Sequence, residues 1–318
     1  MYIGYRFKMS SNYLIQKNVM PLFTDKYKYG RRKFIKNVAG TAGFMTTVGM
    51  FVPFSVEAKN KKLNLALLSD THVPEDVNNN YRGFFPYSNF KTAAIQVASS
   101  GLSGAIITGD LARLTGESGD YKNLNKLLQP IRKEMPVAMT LGNHDNLKNF
   151  IDSYIVEKDK EVFVKNKHVM VLDHADVQLV LLDSLMLTNL VSGLIGKDQR
   201  DWLSNYLELN TRKPIMIFIH HTLGDRDSDL LDTDKLFKII KPYQQVKAIF
   251  HGHSHEYSYK IRDDIHLINL PSTAYNFDDD QPLGWVEASL GKKSGAFTLH
   301  AFDGNITGDG EKKVLKWR

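Results

Sequence analysis

The feature that most constrains the fold of this chain is the placement of short polar clusters directly after apolar runs. Five such clusters occur: Asp70-Thr71-His72, Gly109-Asp110, Gly142-Asn143-His144-Asp145, His220-His221 and Gly252-His253-Ser254-His255. Carboxylate, imidazole and side-chain amide groups recur in them, and these are ligands for hard and borderline divalent cations. The clusters therefore predict one site that holds two divalent cations close together.

The apolar runs before the clusters predict the strands of a layered α/β core. They cover residues 64–69, 104–108, 136–141, 213–219 and 246–250. Runs of this length without clean polar alternation are typical of strands that are buried on both faces. Because ligands in open α/β sheets bind beyond the carboxyl ends of the strands, we expect the five clusters to meet at one rim.

Helical periodicity alternates with these strands. The spacing of apolar residues predicts helices over 91–100, 118–133, 197–209 and 233–240. Ser118 or Asp120 is the expected N-cap of the second helix. Further strands are expected at 169–172, 178–182, 266–270, 285–290 and 296–302. Helices become scarce after about residue 256, so we expect a second sheet to complete the domain.

The basic excess of the chain is confined to its amino-terminal part. The 318 residues carry a net charge of +6, and residues 1–58 hold nine basic and two acidic side chains. The remaining 32 basic and 33 acidic residues leave a body close to neutral. Such a body lacks the basic track that neutralises a polymer backbone, so nucleic acid is not an expected partner.

Residues 1–58 have the features of an export leader. Gly30-Arg31-Arg32-Lys33-Phe34-Ile35-Lys36 resembles the consensus of twin-arginine signals, and an uncharged, moderately apolar stretch follows over 38–56. Val56-Glu57-Ala58 suits a signal peptidase, so cleavage is expected after Ala58. The alternative is an uncleaved transmembrane anchor. Met9 and Met20 remain alternative starts of translation.

The leader predicts that the body, residues 59–318, is periplasmic or secreted. During export the chain would interact with the twin-arginine export machinery. The body would be attached to the membrane only through an uncleaved leader. The chain contains no cysteine. A body of about 260 residues is large enough to bury its own core without disulfides.

In order and spacing, the five clusters resemble the calcineurin-like metallophosphoesterase superfamily. The resemblance covers roughly residues 62–290, and all five blocks are present. Three segments are most similar to its cyclic-nucleotide and glycerophosphodiester phosphodiesterase branch: Ser69-Asp70-Thr71-His72, Leu182-Asp183-Ser184 and Pro271-Ser272-Thr273-Ala274-Tyr275. The resemblance implies a four-layer α-β-β-α sandwich with two central mixed sheets and a dinuclear metal site at strand ends.

The resemblance also implies seven ligands for two metal ions. They are Asp70, His72 and His255 for the first ion, Asn143, His220 and His253 for the second, and Asp110 as a bridge between the two. A bridging carboxylate offsets the repulsion between cations about 3.5–4 Å apart. His253 and His255 are two residues apart, as are Asp70 and His72, so an extended strand end would point each pair to one side. Metal identity stays open among Mn, Fe, Zn and Co.

The chemistry implied by the resemblance is hydrolysis of a small phosphoester. A hydroxide bridging the two cations would attack phosphorus in line, since one bound zinc already lowers the pKa of water to about 7. His144 would contact the phosphate or protonate the leaving alkoxide, with Asp145 holding its ring. His221 and His251 adjoin ligands but are expected to point away from them.

Similarity to the branch favours a phosphodiester as the substrate. One alternative is a phosphomonoesterase that acts on nucleotides or sugar phosphates. The other, from a different class, is a non-catalytic protein that binds a cell-envelope polyanion, and the presence of Asp110, Asn143 and His144 argues against it. Residues 73–89, 113–119 and 223–231 are expected to shape the pocket, with Arg113, Glu117, Tyr275 and Asn276 at its edge. The oligomeric state stays open.

Overall fold

The computed structural model describes residues 62–154 and 163–318. The expected leader, its twin-arginine motif and the cleavage position after Ala58 lie outside the described residues. In the two ranges that the structure does describe, no helix has the length and apolar character needed to cross a membrane.

Twelve strands are present in the described residues. In chain order they are β1 (Leu63–Leu68), β2 (Gly104–Thr108), β3 (Val137–Thr140), β4 (Met170–Asp173), β5 (Gln178–Leu181), β6 (Ile215–Phe218), β7 (Val246–His251), β8 (Ser258–Arg262), β9 (Ile265–Asn269), β10 (Pro282–Leu290), β11 (Ser294–Gly304) and β12 (Lys312–Lys316). The helices of the same ranges are α1 (Pro86–Ser99), α2 (Ser118–Glu134), α3 (Leu147–Ser153), α4 (Lys197–Leu209) and α5 (Thr233–Ile240).

The strands form two six-stranded mixed sheets. The first has the order β12-β11-β10-β1-β2-β3, in which β1, β2 and β3 are parallel and the other three are antiparallel to their neighbours. The second has the order β4-β5-β6-β7-β9-β8, with β5, β6, β7 and β9 parallel and antiparallel strands at both edges. The predicted α/β class with two mixed sheets is confirmed.

Three apolar cores separate four layers. Alternation along β1 sends Leu65 and Leu67 into the core between the sheets, where the stacked rings of Phe218 and Phe250 lie 4.7 Å apart. A second core packs α1, α2 and α3 on the first sheet, and a third packs α4 and α5 on the second sheet. Each large apolar side chain buried in this way contributes roughly 1.5–3 kcal/mol.

Two helix starts differ from the sequence prediction. Helix α1 begins at Pro86, five residues before the predicted start, because proline at the first position already has the helical φ and needs no hydrogen bond there. The N-cap of α2 is Glu117, so the choice of Ser118 or Asp120 was wrong. Asp120 instead turns back, and its Oδ2 accepts the backbone N–H of Glu117 at 3.2 Å.

Candidate metal centre

The five polar clusters lie where parallel strands end. Asp70 follows β1, Asp110 follows β2 and Asn143 follows β3, all in the first sheet. His220 follows β6 and His253 follows β7 in the second sheet. The carboxyl ends of strands from both sheets therefore face one rim, as the sequence predicted.

The backbone leaves the extended conformation as soon as these strands end. Asp70, His72, Asp110, His253 and His255 have φ values of 53°, 40°, 47°, 73° and 56°. The argument that an extended chain aligns His253 with His255, and Asp70 with His72, was therefore wrong. Left-handed backbone turns aim these side chains, and such turns cost of order 1–3 kcal/mol each at residues other than glycine.

Glycine is required where the turns approach one another. A Cβ on Gly142 would lie 2.2 Å from Asp110 Oδ1 and 2.7 Å from His220 Cδ2. A Cβ on Gly252 would lie 1.9 Å from Ser69 Oγ and 2.3 Å from Asp70 Oδ2. The loops of the two sheets thus meet at contacts that leave no room for a side chain.

Carboxylate and imidazole atoms converge in three triads, and in each triad these atoms lie within 4.8 Å of one another. The triads are Asp70–His72–His255, His72–Asp110–His144 and Asp110–His220–His253. The first two share His72 and the last two share Asp110. The groups therefore form one continuous cluster rather than separate sites.

Asp110 occupies the middle of this cluster. Its Oδ2 lies 3.6 Å from His72 Nε2 and 3.3 Å from His220 Nε2. Its Oδ1 accepts the backbone N–H of His144 at 2.9 Å, which fixes the carboxylate plane. One buried carboxylate thus faces imidazoles from both ends of the cluster, a position compatible with the bridging role that the family resemblance implies.

The ring tautomers leave one nitrogen of each imidazole available for a metal ion. The Nδ1–H of His72, His220 and His255 donates to the carbonyls of Arg113, Thr108 and Tyr275, at 3.3, 2.7 and 2.6 Å. Their Nε2 atoms are the ones that face the carboxylates. His253 has the reverse arrangement, because its Nε2–H donates to Ser228 O at 2.9 Å. Such carbonyl partners are typical of metal-binding histidines.

Two buried polar atoms test whether the cluster fits a metal ion. Asn143 Oδ1 and His220 Nε2 are buried and have no hydrogen-bond partner within the described ranges. An unsatisfied buried polar atom costs about 1–3 kcal/mol, so native proteins rarely keep one without a reason. A cation that accepts both lone pairs would remove this cost. The donor set, imidazole with carboxylate and amide oxygen, suits a divalent metal.

Four of the five expected ligands with a shifted pKa have the protonation state that a cation requires, and His220 is the exception. Burial would raise the pKa of Asp70 and Asp110, but the neighbouring His255 and His220 hold both below the usual range. Burial lowers the pKa of His72 to about 3 and that of His253 to about 4, so both rings are neutral near pH 7. Burial also opposes charge on His220, yet Asp110 and Asp70 raise its pKa to about 9. Ionised carboxylates and neutral imidazoles are the ligand forms, so His220 would release its proton when a cation binds.

His144 lies at the edge of the cluster and is half-buried. Its Nδ1–H donates to the carbonyl of Leu114 at 2.8 Å. The expectation that Asp145 holds this ring was wrong, because the Asp145 carboxylate accepts the backbone N–H groups of Leu111, Ala112 and Gly142 instead. Burial, with Asp110 nearby, raises the pKa of Asp145 to about 7. Asp145 therefore shapes the loop, and a backbone carbonyl orients His144.

His221 and His251 adjoin the expected ligands but belong to none of the three triads. His221 is buried, its Nδ1 lies 2.7 Å from Ser184 Oγ, and its ring lies 4.7 Å from the ring of His253. His251 ends β7 as a buried residue. Tyr275, which the sequence placed at the edge of the pocket, has its ring 4.7 Å from the ring of His72.

Comparisons of the sequence with known proteins identify its relatives. A family model described as calcineurin-like phosphoesterase matches residues 63–257. A probable cyclic nucleotide phosphodiesterase of Vesicomyosocius okutanii is 25% identical over 228 residues, which cover 70% of this chain and 91% of the relative. The 3′,5′-cyclic adenosine monophosphate phosphodiesterase of Haemophilus influenzae is 25% identical over 254 residues, covering 74% of this chain and 89% of that protein.

The solved structures include neighbours with the same fold. A dimetal phosphatase from Danio rerio superposes with a TM-score of 0.63 at 13% identity. The superposition covers 81% of this chain and all of the zebrafish protein. The two-sheet architecture is therefore shared with a protein whose sequence has diverged widely.

Proposed function

This chain belongs to the calcineurin-like phosphoesterase family, and from that premise we propose that it hydrolyses a small phosphodiester at a dinuclear metal centre. It is a metal-dependent phosphoester hydrolase. The observation that carries the dinuclear proposal is the position of Asp110, whose Oδ2 lies 3.6 Å from His72 and 3.3 Å from His220. One carboxylate thus belongs to two neighbouring ligand groups.

The residues that would hold the ions are those of the cluster. The first ion would be held by Asp70, His72 and His255, the second by Asn143, His220 and His253, and both by Asp110. When bound, the cations supply Lewis acidity, which acidifies the attacking water and offsets charge that develops on the phosphate. The protein fixes the ligand geometry in advance through the carbonyl bonds of the imidazoles.

His144 is the group proposed to move a proton. Its Nδ1–H is committed to the carbonyl of Leu114, so Nε2 is the ring atom free to face the substrate. As the P–O bond breaks, the electron pair stays on the leaving oxygen, and protonated Nε2 donates its proton there. Solvent then returns a proton to the ring. His144 shares a triad with His72 and Asp110, which places it beside the reacting group.

The preference for a diester is supported by the relatives. Both curated proteins described above carry names of cyclic nucleotide phosphodiesterases, and the match covers about nine-tenths of each of them. A cyclic nucleotide is a phosphodiester with one negative charge. We therefore propose a diester of this size as the substrate. A preference for a phosphomonoester would contradict this proposal.

The test uses the full chain, stripped of metal by a chelator and reloaded with manganese. We expect kcat/KM for bis(p-nitrophenyl) phosphate to exceed that for p-nitrophenyl phosphate, and metal analysis to find two ions per chain. Asp110→Asn should lose activity and at least one ion, whereas Asp201→Asn, an exposed aspartate on α4, should lose neither. A ratio below one would indicate a phosphomonoesterase. Activity on neither ester would favour a non-catalytic protein.

We also propose that residues 1–58 direct the body, residues 59–318, out of the cytoplasm. The support is sequence alone: the twin-arginine motif at Arg31-Arg32 and the cleavage position after Ala58. Replacing both arginines by lysine should trap the chain in the cytoplasm at its full length. Cell fractionation with amino-terminal sequencing measures this. A full-length chain in the membrane fraction would indicate the uncleaved anchor instead.

A further inference from the structure

A continuous group of aromatic rings lies against the first triad of the metal centre. The ring of Tyr275 lies 4.7 Å from that of His72 and 4.7 Å from that of His255. Phe277 lies 4.7 Å from His255, and Tyr81 meets Tyr275 edge to face at 4.7 Å. We name this group, together with Arg113, the aromatic wall: Tyr81, Arg113, Tyr275 and Phe277.

The aromatic wall leads from the metal centre to solvent. Tyr275 is only 3% exposed, whereas Tyr81 is 37% and Phe277 is 50% exposed. A single exposed aromatic ring is common and needs no explanation. Phe277 differs because one part of its ring packs on a candidate ligand while half of its side chain stays open. Its ring therefore lies beside the candidate metal centre, with the Arg82 guanidinium 5.7 Å from the ring centre.

Arg113 adds a positive charge to this surface. Its guanidinium lies 4.5 Å from the centre of the Tyr81 ring and 5.6 Å from that of Tyr275. Its Nε donates to Asn79 Oδ1 at 2.8 Å. Among the described residues, no carboxylate forms an ion pair with it. The terminal nitrogens of Arg113 are thus available to donate to acceptor atoms of a ligand.

Hydrogen bonds hold the backbone that carries the exposed rings of Tyr81 and Phe277. Arg82 donates from Nε to the carbonyl of Asn276 at 3.0 Å and from Nη2 to that of Phe277 at 3.1 Å. Tyr81 exchanges two backbone hydrogen bonds with Phe84, both at 2.9 Å. A surface fixed in this way loses little conformational entropy when it binds, so its contacts contribute more fully to affinity.

We propose that the aromatic wall binds the nucleobase of a nucleoside phosphodiester, an inference that rests on the proposed phosphodiesterase function. The exposed ring of Phe277 and the terminal nitrogens of Arg113 suit a planar group that carries acceptor atoms. A hydrocarbon chain would gain nothing from the charge of Arg113. Phe277 supplies the stacking surface, the Tyr81 ring supports the Arg113 guanidinium at 4.5 Å, and Arg113 donates to the acceptor edge of the base. These residues determine specificity, while the metal centre performs the reaction.

The test compares two substrates that differ only in the base. They are 3′,5′-cyclic AMP and the 3′,5′-cyclic phosphate of methyl riboside, in which a methoxy group replaces adenine. The manganese-loaded full chain should show a kcat/KM for cyclic AMP at least about tenfold above that for the abasic ester, since stacking of one base on one aromatic side chain has this size. Phe277→Leu keeps the apolar volume but removes the planar ring, and it should lower this ratio about tenfold, mainly through KM.

Phe85→Leu is the matched control, because Phe85 is 48% exposed and makes no ring contact with the aromatic wall in the described part of the chain. It should leave the ratio unchanged, and Phe277→Trp should retain the preference. A wild-type ratio near one, or an unchanged ratio in Phe277→Leu, would overturn the base-binding role. Bis(p-nitrophenyl) phosphate separates this failure from that of the proposed function, which fails if this diester is not hydrolysed in preference to p-nitrophenyl phosphate.

Discussion

A backbone carbonyl, rather than a side chain, orients the one residue proposed to transfer a proton. The Leu114 carbonyl accepts the Nδ1–H of His144 at 2.8 Å, and Asp110 Oδ1 accepts its backbone N–H at 2.9 Å. Sequence reasoning chose Asp145 for this role because carboxylates commonly hold catalytic imidazoles. Every residue has a backbone carbonyl, so the sequence does not indicate which one accepts this hydrogen bond. This partner could only be found from the structure.

His144→Ala should separate turnover from metal binding. Loss of a positioned proton donor lowers kcat by about 10²–10⁴-fold. Metal content should stay close to that of the wild type, because the seven expected ligands are untouched. Steady-state kinetics and metal analysis of the same preparation check this, with His174→Ala as the control at a histidine outside the triads. Metal loss in proportion to activity would make His144 a ligand instead.

At the scale of elements, the sequence predicted the buried strands more accurately than the short helix and the edge strands. The buried parallel strands were predicted nearly to the residue, because both faces need apolar side chains. Helix α3 and strands β8 and β12 were missed. Helix α3 buries only Phe150 among its seven residues, and the edge strands β8 and β12 contain no buried residue, so each shows only a short apolar pattern in the sequence. Ladders with their neighbours hold the two strands in place.

In the turn after β3, the methyl group added by Gly142→Ala should impair metal binding and activity at the candidate metal centre. In Gly142→Ala the new Cβ would lie 2.2 Å from Asp110 Oδ1, a distance that forces the carboxylate or the loop to move. We expect the variant to fold but to bind fewer metal ions and to lose activity at least about 100-fold, since displacement of a positioned group by 1 Å can cost this much.

Gly291→Ala is the control for this substitution, because its nearest contact would be an ordinary 3.4 Å to Ser294 O. Metal analysis, kcat/KM for bis(p-nitrophenyl) phosphate and thermal unfolding of the metal-free protein would be measured for both variants. Wild-type metal content and activity in Gly142→Ala would show that Asp110 does not need its present position.

At the scale of the whole molecule, the centre depends on how the two sheets are held together. The candidate ligands follow β1, β2 and β3 on one side and β6 and β7 on the other, so a shift of one sheet would separate them. The sequence predicted two sheets and a shared rim, but it did not predict the hydrogen bonds that connect the two sheets. His168, which matched no motif, makes one of these bonds: its Nε2–H donates to the carbonyl of Met139 in β3 at 3.1 Å.

His168 should make the fold sensitive to acid. Burial lowers the pKa of His168 from the ordinary value of 6.5 to about 4, so the folded protein keeps the ring neutral where the unfolded chain protonates it. The unfolded state therefore binds more protons below pH 6.5, and stability falls as the pH drops from 6.5 towards 4. At pH 5 this one group should cost about 1–2 kcal/mol.

Urea unfolding of the metal-free protein at pH 7.5 and pH 5 would measure this effect. Other buried histidines, such as His251 with a pKa of about 4, contribute to the acid sensitivity of both proteins. The difference between wild type and His168→Gln isolates the one group, because glutamine keeps a donor for Met139 but does not titrate. We expect the variant to lose about 1–2 kcal/mol less than the wild type between the two pH values. Equal losses would mean that the imidazole is not held neutral between the sheets.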